Sequence, residues 1–480
     1  MLKRRDEQAT IQIDPTFAYY TGRSPHSVAA ELAAAGYSAV RYFVTDETRV
    51  QTALVHALRE HGLDVWAMVL GNGAYSSSHL PPDWRSWQME LLKPVNDGYI
   101  RLSPFHPAYT AWKKTALARL AREHPFTGIE VAECYFPEWN GLYTGVYGDI
   151  GPQAQAAFRA WGGGSLPEFR RSGSAHYYKK DLERYARWIE CRVDAVNRFV
   201  NELFNGAGGV REARGDIRIA TWSVAVDAGS RAALDVRELQ GMDAVTMIRL
   251  VRPDAHVLQT HWPDWMRARL PADYARRYEA FAAPIREAFP SLALGIQTDI
   301  GSLRRMRRSS AWLDRFAAES HKLGYRFWTA YEYSIGRWMY EEPPMPVQAI
   351  RLAADRLRIQ FSKRIDADSA RDAVYAVVTG APAPRSGEAF GGEAEPPAGR
   401  SVLGRRIGKP STAKRTLTPL GLDVDGQLLE LRAAGLPEGP FELELSGIRD
   451  TPGSWLLKGM AANKLPAGCR IPVDGCPDWS

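Results

Sequence analysis

The chain is poor in cysteine, with only Cys134, Cys191, Cys469 and Cys476 in 480 residues. None stands in a CxxC pair or beside a histidine at ligand spacing, so a thiolate metal site is not expected, and no cofactor is called for. Cys469 and Cys476 are close enough to close a small terminal loop, which would need an oxidising compartment. A long apolar run is also missing: no stretch reaches the roughly 20 residues of a membrane span. Residues 1–8 carry charges with no apolar core after them, so the expectation is a cytoplasmic protein without a membrane partner, or a secreted one whose leader has been removed. Charge of one sign is scarce. The 61 Lys and Arg against 55 Asp and Glu leave +6, spread along the chain, so nucleic acid is not an expected partner. The one dense basic run, Arg304-Arg305-Met306-Arg307-Arg308, reads as a solvated loop or helix start, with an acidic glycan as its sharper use. No Gly-rich phosphate loop follows any expected strand and no Gly-x-Ser-x-Gly elbow occurs, which argues against dinucleotide binding and against a serine hydrolase.

What is present is a globular composition, 45% apolar and 24% charged, on a chain long enough for two or three units. From Thr10 to about Trp338, strand-like runs alternate with helix-like ones. The expected strands are 11–14, 37–44, 63–70, 126–134, 217–222, 244–248, 292–299 and 325–330. The expected helices include 24–35, 48–61, 108–123, 176–204, 274–289 and 311–323, several ending at a glycine such as Gly36, Gly62 or Gly324, a natural C-terminal cap. Eight alternations predict an α/β fold, a parallel (β/α)8 barrel over 1–342 whose chemistry sits at the C-terminal strand ends. An open doubly wound sheet is the competitor, weakened by the missing phosphate loop. The long loops after residue 70 and over 140–173 are expected to be functional. Beyond Pro343 the helical period disappears. The alternation in 357–361, 428–431 and 441–445 predicts a smaller all-β sandwich over 343–480, with a flexible insertion near 382–414 rich in Gly, Pro and Arg.

The most informative stretch is Gly128-Ile129-Glu130-Val131-Ala132-Glu133-Cys134-Tyr135-Phe136-Pro137-Glu138-Trp139, an apolar run ending among carboxylates and rings. Side chains alternate along a strand, so Ile129, Val131 and Glu133 share a face and Glu133 would leave the strand's end. The competing reading is a strand-end carboxylate that is merely salt-bridged. The 15 Trp and 20 Tyr matter because several fall at expected strand ends, Trp222, Trp262, Trp265 and Trp328 among them, where a flat apolar wall can receive a sugar ring. Cleaving a glycosidic bond takes two carboxyls facing each other across the sugar. Asp299, at the end of the seventh expected strand, is the partner for Glu133, and strands four and seven lie across a barrel from one another.

Val131-Ala132-Glu133 and Gln297-Thr298-Asp299-Ile300-Gly301 thus resemble the two strand ends of the clan-A glycoside hydrolases, retaining (β/α)8 enzymes that include β-galactosidases. Residues 155–161 with 165–169 are similar to the stretch after the acid/base Glu in β-galactosidase-like members, and 327–334 to the aromatic eighth strand that floors the sugar site. The resemblance covers about the first 340 residues, with an Ig-like sandwich behind them. It implies Glu133 as general acid/base and Asp299 as nucleophile or base on a β-linked oligo- or polysaccharide, retaining rather than inverting. Two departures stand out: Ala132 replaces the Asn that precedes the acid/base Glu, and Asp299 is one methylene shorter than the usual Glu. Glu138, Asp227 and Glu332 remain substitutes. The expected substrate-binding residues are Asp14, Arg41, Asn72, Tyr135, Glu138, Trp222, Arg249, His261, Trp262, Trp328 and Glu332. Arg41 and Arg249 together would suit a uronate or sulfate. A silent carbohydrate-binding barrel and a uronate-specific lyase-like enzyme are the alternatives. Oligomeric state is not legible.

Overall fold

A computed structural model describes residues 9–298, 308–331, 342–379, 413–451 and 461–475. Eight parallel strands close into a barrel: β1 (Ala9–Ile13), β2 (Ala39–Val44), β3 (Asp64–Leu70), β4 (Gly128–Ala132), β5 (Arg218–Ala225), β6 (Ala255–Thr260), β7 (Ala293–Thr298) and β8 (Phe327–Tyr331). Each pairs with its sequence neighbours, and β8 closes on β1 through Ala9↔Trp328 and Thr10↔Thr329. Helices alternate with the strands on the outside, the arrangement that buries both faces of a parallel sheet.

One strand lies where the sequence did not put it. Residues 244–248 belong to a helix, Ala244–Val251, and the sixth strand is Ala255–Thr260. A short apolar run serves either structure. Here Asp243 caps the helix by accepting from the Thr246 amide at 3.0 Å, and Met247, Ile248 and Val251 fall on one buried face. Arg252 then turns left-handed at φ +54° and ends it.

The barrel's floor is filled with rings and charges. Trp66 and Phe327 point inward, and each faces a glycine on a neighbouring strand. A Cβ on Gly128 would meet the Trp66 indole at 2.3 Å, and one on Gly295 would meet the Phe327 ring at 2.2 Å. Between the rings lies the Arg41 guanidinium, 4.5 Å from the centre of Trp66 and 5.0 Å from that of Phe327. Its Nη1 is 3.0 Å from Glu130 Oε2, a charge pair with almost no solvent access. Burial disfavours both ions, lowering the pKa of Arg41 and raising that of Glu130.

The chain divides into two compact units, the first Arg4–Thr21 with Val28–Arg337, the second Met1–Lys3 and Gly22–Ser27 with Trp338–Ser480. In the second, strands β9 (Pro346–Ala353), β10 (Arg356–Phe361), β11 (Val374–Thr379), β12 (Ala413–Leu417), β13 (Pro419–Asp425), β14 (Leu428–Ala433), β15 (Phe441–Ser446) and β16 (Cys469–Val473) form two antiparallel sheets of order β9-β10-β14-β13 and β12-β11-β15-β16. Leu357, Ile359 and Leu429 from one sheet and Tyr375, Leu443 and Ile471 from the other share a single apolar core. The period-two alternation read in the sequence is what supplies that core.

Candidate active site

Strand β4 ends at Ala132, and the next residue, Glu133, takes the left-handed conformation at φ +54°. For a non-glycine residue this costs on the order of 1 kcal/mol or more, and such strain gathers at functional sites. The turn carries the Glu133 side chain to the mouth of the barrel, where it is half-buried. Its Oε2 accepts a hydrogen bond from the Tyr99 hydroxyl at 2.7 Å. Burial raises the Glu133 pKa, and the Tyr99 bond and the charge of Arg101 oppose that rise only in part.

Tyr99 reaches Glu133 because the loop after β3 doubles back on itself. Gly73 and Ala74 pair antiparallel with Arg101 and Ile100, and the Leu102 amide donates to the Asn72 carbonyl at 2.9 Å. Beyond β4 the chain is held in turn by Asn72. Its Nδ2 donates to the Tyr135 carbonyl at 3.0 Å, and its Oδ1 accepts from the Tyr135 amide at 3.2 Å.

Glu133 lines two adjoining chambers. The inner one, about 340 Å³, is walled by Gln12, Asp14, Phe43, Met68, Trp222 and Gln297. Its polar floor is linked: Gln297 Nε2 donates to Gln12 Oε1 at 2.7 Å, and Trp222 Nε1 approaches Gln297 Oε1 at 3.4 Å. The outer chamber, about 450 Å³, is walled by Tyr99, Arg101, Tyr135, Glu138, Trp139 and Trp262. Tyr75, Glu133 and Gln259 border both. Tyr135 stacks on Trp222 at 5.9 Å and 15° between planes, so one ring pair joins the two chambers. His261, in the outer chamber, has its pKa lowered to about 4 by burial and is a neutral hydrogen-bonding group near neutral pH. Among the described residues no group of three His, Cys, Asp or Glu is placed to hold a metal ion.

Of the residues expected at the site, Glu133, Asp14 and Trp222 meet in the inner chamber, and Tyr135, Glu138, His261 and Trp262 in the outer one. Asp299 and Glu332 lie outside the described residues. Four expectations are corrected. Arg41 is consumed by Glu130 in the barrel floor. Arg249 sits exposed on the helix Ala244–Val251, its guanidinium 6.0 Å from the Phe289 ring centre, because the sequence placed a strand where a helix forms. The two guanidinium groups do not converge, which removes the basis for a uronate- or sulfate-binding pair. Asn72 is buried with both amide atoms spent on Tyr135, so it shapes the site without facing it. Trp328 points outward, edge-on to Phe316 at 6.0 Å, because its neighbour Phe327 takes the inward position of β8. Asp227, one of the substitute carboxylates, is held by Arg267 at 2.9 Å and Arg277 at 2.6 Å.

Sequence reasoning missed Gln12, Gln259, Gln297, Tyr75 and Tyr99. Gln12 and Gln297 precede the expected site residues Asp14 and Asp299 by two in the sequence, and that spacing, read with the period of a strand, was the available signal. Gln259 was lost with the misplaced sixth strand. Tyr75 and Tyr99 belong to the long loop after β3, and nothing local marks which of its rings folds back.

No protein-family model matches the chain, and no curated protein sequence does. Solved structures match it. The glycoside hydrolase domain of PgaB (BpsB) from Bordetella bronchiseptica is similar over 68% of this chain and 94% of that one, at 16% identity and a TM-score of 0.51. A cold-adapted β-galactosidase from Rahnella sp. R3 matches over 69% of this chain and 51% of that one, at 11% identity and a TM-score of 0.45. Endo-glycoceramidase II from Rhodococcus sp. matches over 90% and 99%, at 13% identity and a TM-score of 0.34. At such identities the likeness is one of fold: the (β/α)8 barrel of this chain is shared with the PgaB glycoside hydrolase domain.

Proposed function

We propose that the chain is a glycoside hydrolase in which Glu133 is the general acid/base and Asp299 the partner carboxylate. Its substrate would be a β-linked oligo- or polysaccharide. The observation that carries this reading is the place of Glu133: a carboxyl with a raised pKa, at the C-terminal mouth of the barrel, bordering both chambers. A general acid must hold its proton near the working pH, and burial supplies that tendency. In this reading the inner chamber, with its linked amides and the Trp222 edge, takes the sugar whose anomeric carbon reacts. The outer chamber, with Tyr135, Trp139 and Trp262, takes the leaving portion. Glu133 gives its proton to the glycosidic oxygen as the C–O bond breaks, and the second carboxylate attacks the anomeric carbon or draws a proton from the attacking water. Asp299 follows Gln297, whose side chain lines the inner chamber, by two residues. The barrel shared with glycoside hydrolases supports the reading at the level of fold.

The test is release of reducing ends from a panel of β-linked glycans by the wild type, Glu133→Gln and Asp299→Asn. The wild type should cleave at least one of them, and each variant should lose turnover while still binding it in a calorimetric titration. Near-normal turnover by Glu133→Gln would sink the assignment. Binding by the wild type with no reducing ends from any glycan would favour a silent carbohydrate-binding barrel.

A further inference from the structure

We infer that Tyr99 is a positioning residue for Glu133, fixing Oε2 so that Oε1 is the oxygen turned to the substrate, and that Gly73 is required to seat it. The inference rests on the reading of Glu133 as the proton donor. Three observations carry it.

The first is the bond itself. Tyr99 Oη donates to Glu133 Oε2 at 2.7 Å, and Oε1 has no protein partner among the described residues. One oxygen is therefore held and the other left for the cleft. A carboxyl that swings freely loses most of its value as a positioned acid, because a proton must be delivered along the lone pair of one leaving oxygen.

The second is the space made for the ring. A Cβ on Gly73 would lie 1.8 Å from Tyr99 Oη and 2.2 Å from the phenol carbon that bears it. Any side chain at 73 would expel the hydroxyl from its place. The third is the bracing of the ring from its other sides. Arg101 packs its guanidinium 5.3 Å from the Tyr99 ring centre and is gripped by Asp97 through two hydrogen bonds of 2.6 and 3.1 Å. Tyr75 meets the ring edge-on at 5.0 Å. Burial, with the nearby Glu133 charge, keeps the phenol protonated far above its ordinary range, so it stays a donor wherever Glu133 titrates.

The experiment follows the Glu133 carboxyl directly by carbon NMR titration in the full chain labelled at glutamate, with the Glu133 signal assigned by its loss in Glu133→Gln. Tyr99 donates to the ionised form, so Tyr99→Phe should raise the Glu133 pKa by about one unit, a tenfold gain in proton affinity. Gly73→Ala should reproduce that shift with the hydroxyl still present. The double variant should shift by less than the sum, because both remove the same bond. With a cleaved glycan, the alkaline limb of kcat/KM should move upward in step. Unchanged Glu133 titration in Tyr99→Phe overturns the inference, even if the variant is less stable. If the titration moves while turnover is insensitive to Glu133→Gln, the bond stands, but the proton-donor role of Glu133 falls.

Discussion

Replacing Arg41 by Met separates a structural charge from a substrate ligand. The guanidinium and its partner Glu130 are only 4% and 2% exposed, with Nη1 and Oε2 3.0 Å apart. Methionine fills much of the space between Trp66 and Phe327 but leaves Glu130 buried without its counter-ion. Breaking such a pair from one side costs about 3 to 5 kcal/mol, whereas removing both charges with apolar residues of similar volume is close to neutral. At about 2 °C per kcal/mol for a unit of this size, Arg41→Met should lower the melting temperature by roughly 6 to 10 °C. Arg41→Met with Glu130→Leu should recover most of that loss. Calorimetric melting of the wild type and the two variants measures both quantities, and KM on any cleaved glycan should be unchanged in the variants that remain folded. An unaltered melting temperature with a raised KM in Arg41→Met would refute the placement, since it would mean that the guanidinium meets substrate.

Other expected outcomes concern packing, the site loop and pH. Gly295→Ala puts a methyl 2.2 Å from the Phe327 ring and should cost about 1 to 3 kcal/mol in chemical denaturation; adding Phe327→Leu should return part of it. Asn72→Ala leaves the Tyr135 amide and carbonyl without their buried partners. It should lower stability by about 1 to 3 kcal/mol and reduce kcat/KM, as the wall carried by Tyr135 loosens. His256 is buried between Thr221 and Ser223, at 2.8 Å from each hydroxyl, and its pKa is lowered from 6.5 to about 3. Because its folded pKa is depressed, the unfolded chain takes up a proton below pH 6.5 that the folded one refuses. Stability present above that pH is lost as pH falls. Between pH 6.5 and pH 5 this group alone should remove about 2 kcal/mol, and His256→Gln should flatten that part of the stability profile.

The parts of the molecule that were legible are those in which one period decides the structure. The runs around Leu357, Leu429 and Leu443 announced a sandwich core, because a one-residue change of parity would turn each to the wrong face. Residues 126–134 announced a strand and its end but not its facing: Gly128, Glu130 and Ala132 turn into the barrel, not Ile129 and Val131, and Glu133 reaches the mouth through its left-handed turn. Parity also explains a failure. Trp328 and Phe327 are neighbours with equal claim to the barrel interior, and only the space above Gly295 decides for Phe327. The sixth strand failed for want of length, since a run of five residues, four of them apolar, fits a helix as well, and the Asp243 cap settled it. Arg41 was misjudged because its partner, Glu130, lies on a strand some ninety residues away in sequence and two places round the barrel. Tyr99 was invisible for a related reason: its position depends on a two-residue ladder between Gly73–Ala74 and Ile100–Arg101 that no local pattern announces. Neutral amides such as Gln259 and Gln297 carry no charge or motif to mark them, although they form much of the inner chamber's polar surface.

If Glu133 delivers a proton to the departing oxygen, its worth depends on the leaving group. Glu133→Gln and the wild type would be compared on two glycosides of the sugar the wild type cleaves, one with an alkanol and one with a dinitrophenolate as leaving group. An alkanol cannot depart without a proton, and a dinitrophenolate can. The variant should lose about 10²- to 10⁴-fold on the alkyl glycoside, the usual worth of a positioned acid, and far less in the bond-breaking step of the dinitrophenyl one. Equal losses on both substrates, or none on the alkyl glycoside, would contradict it.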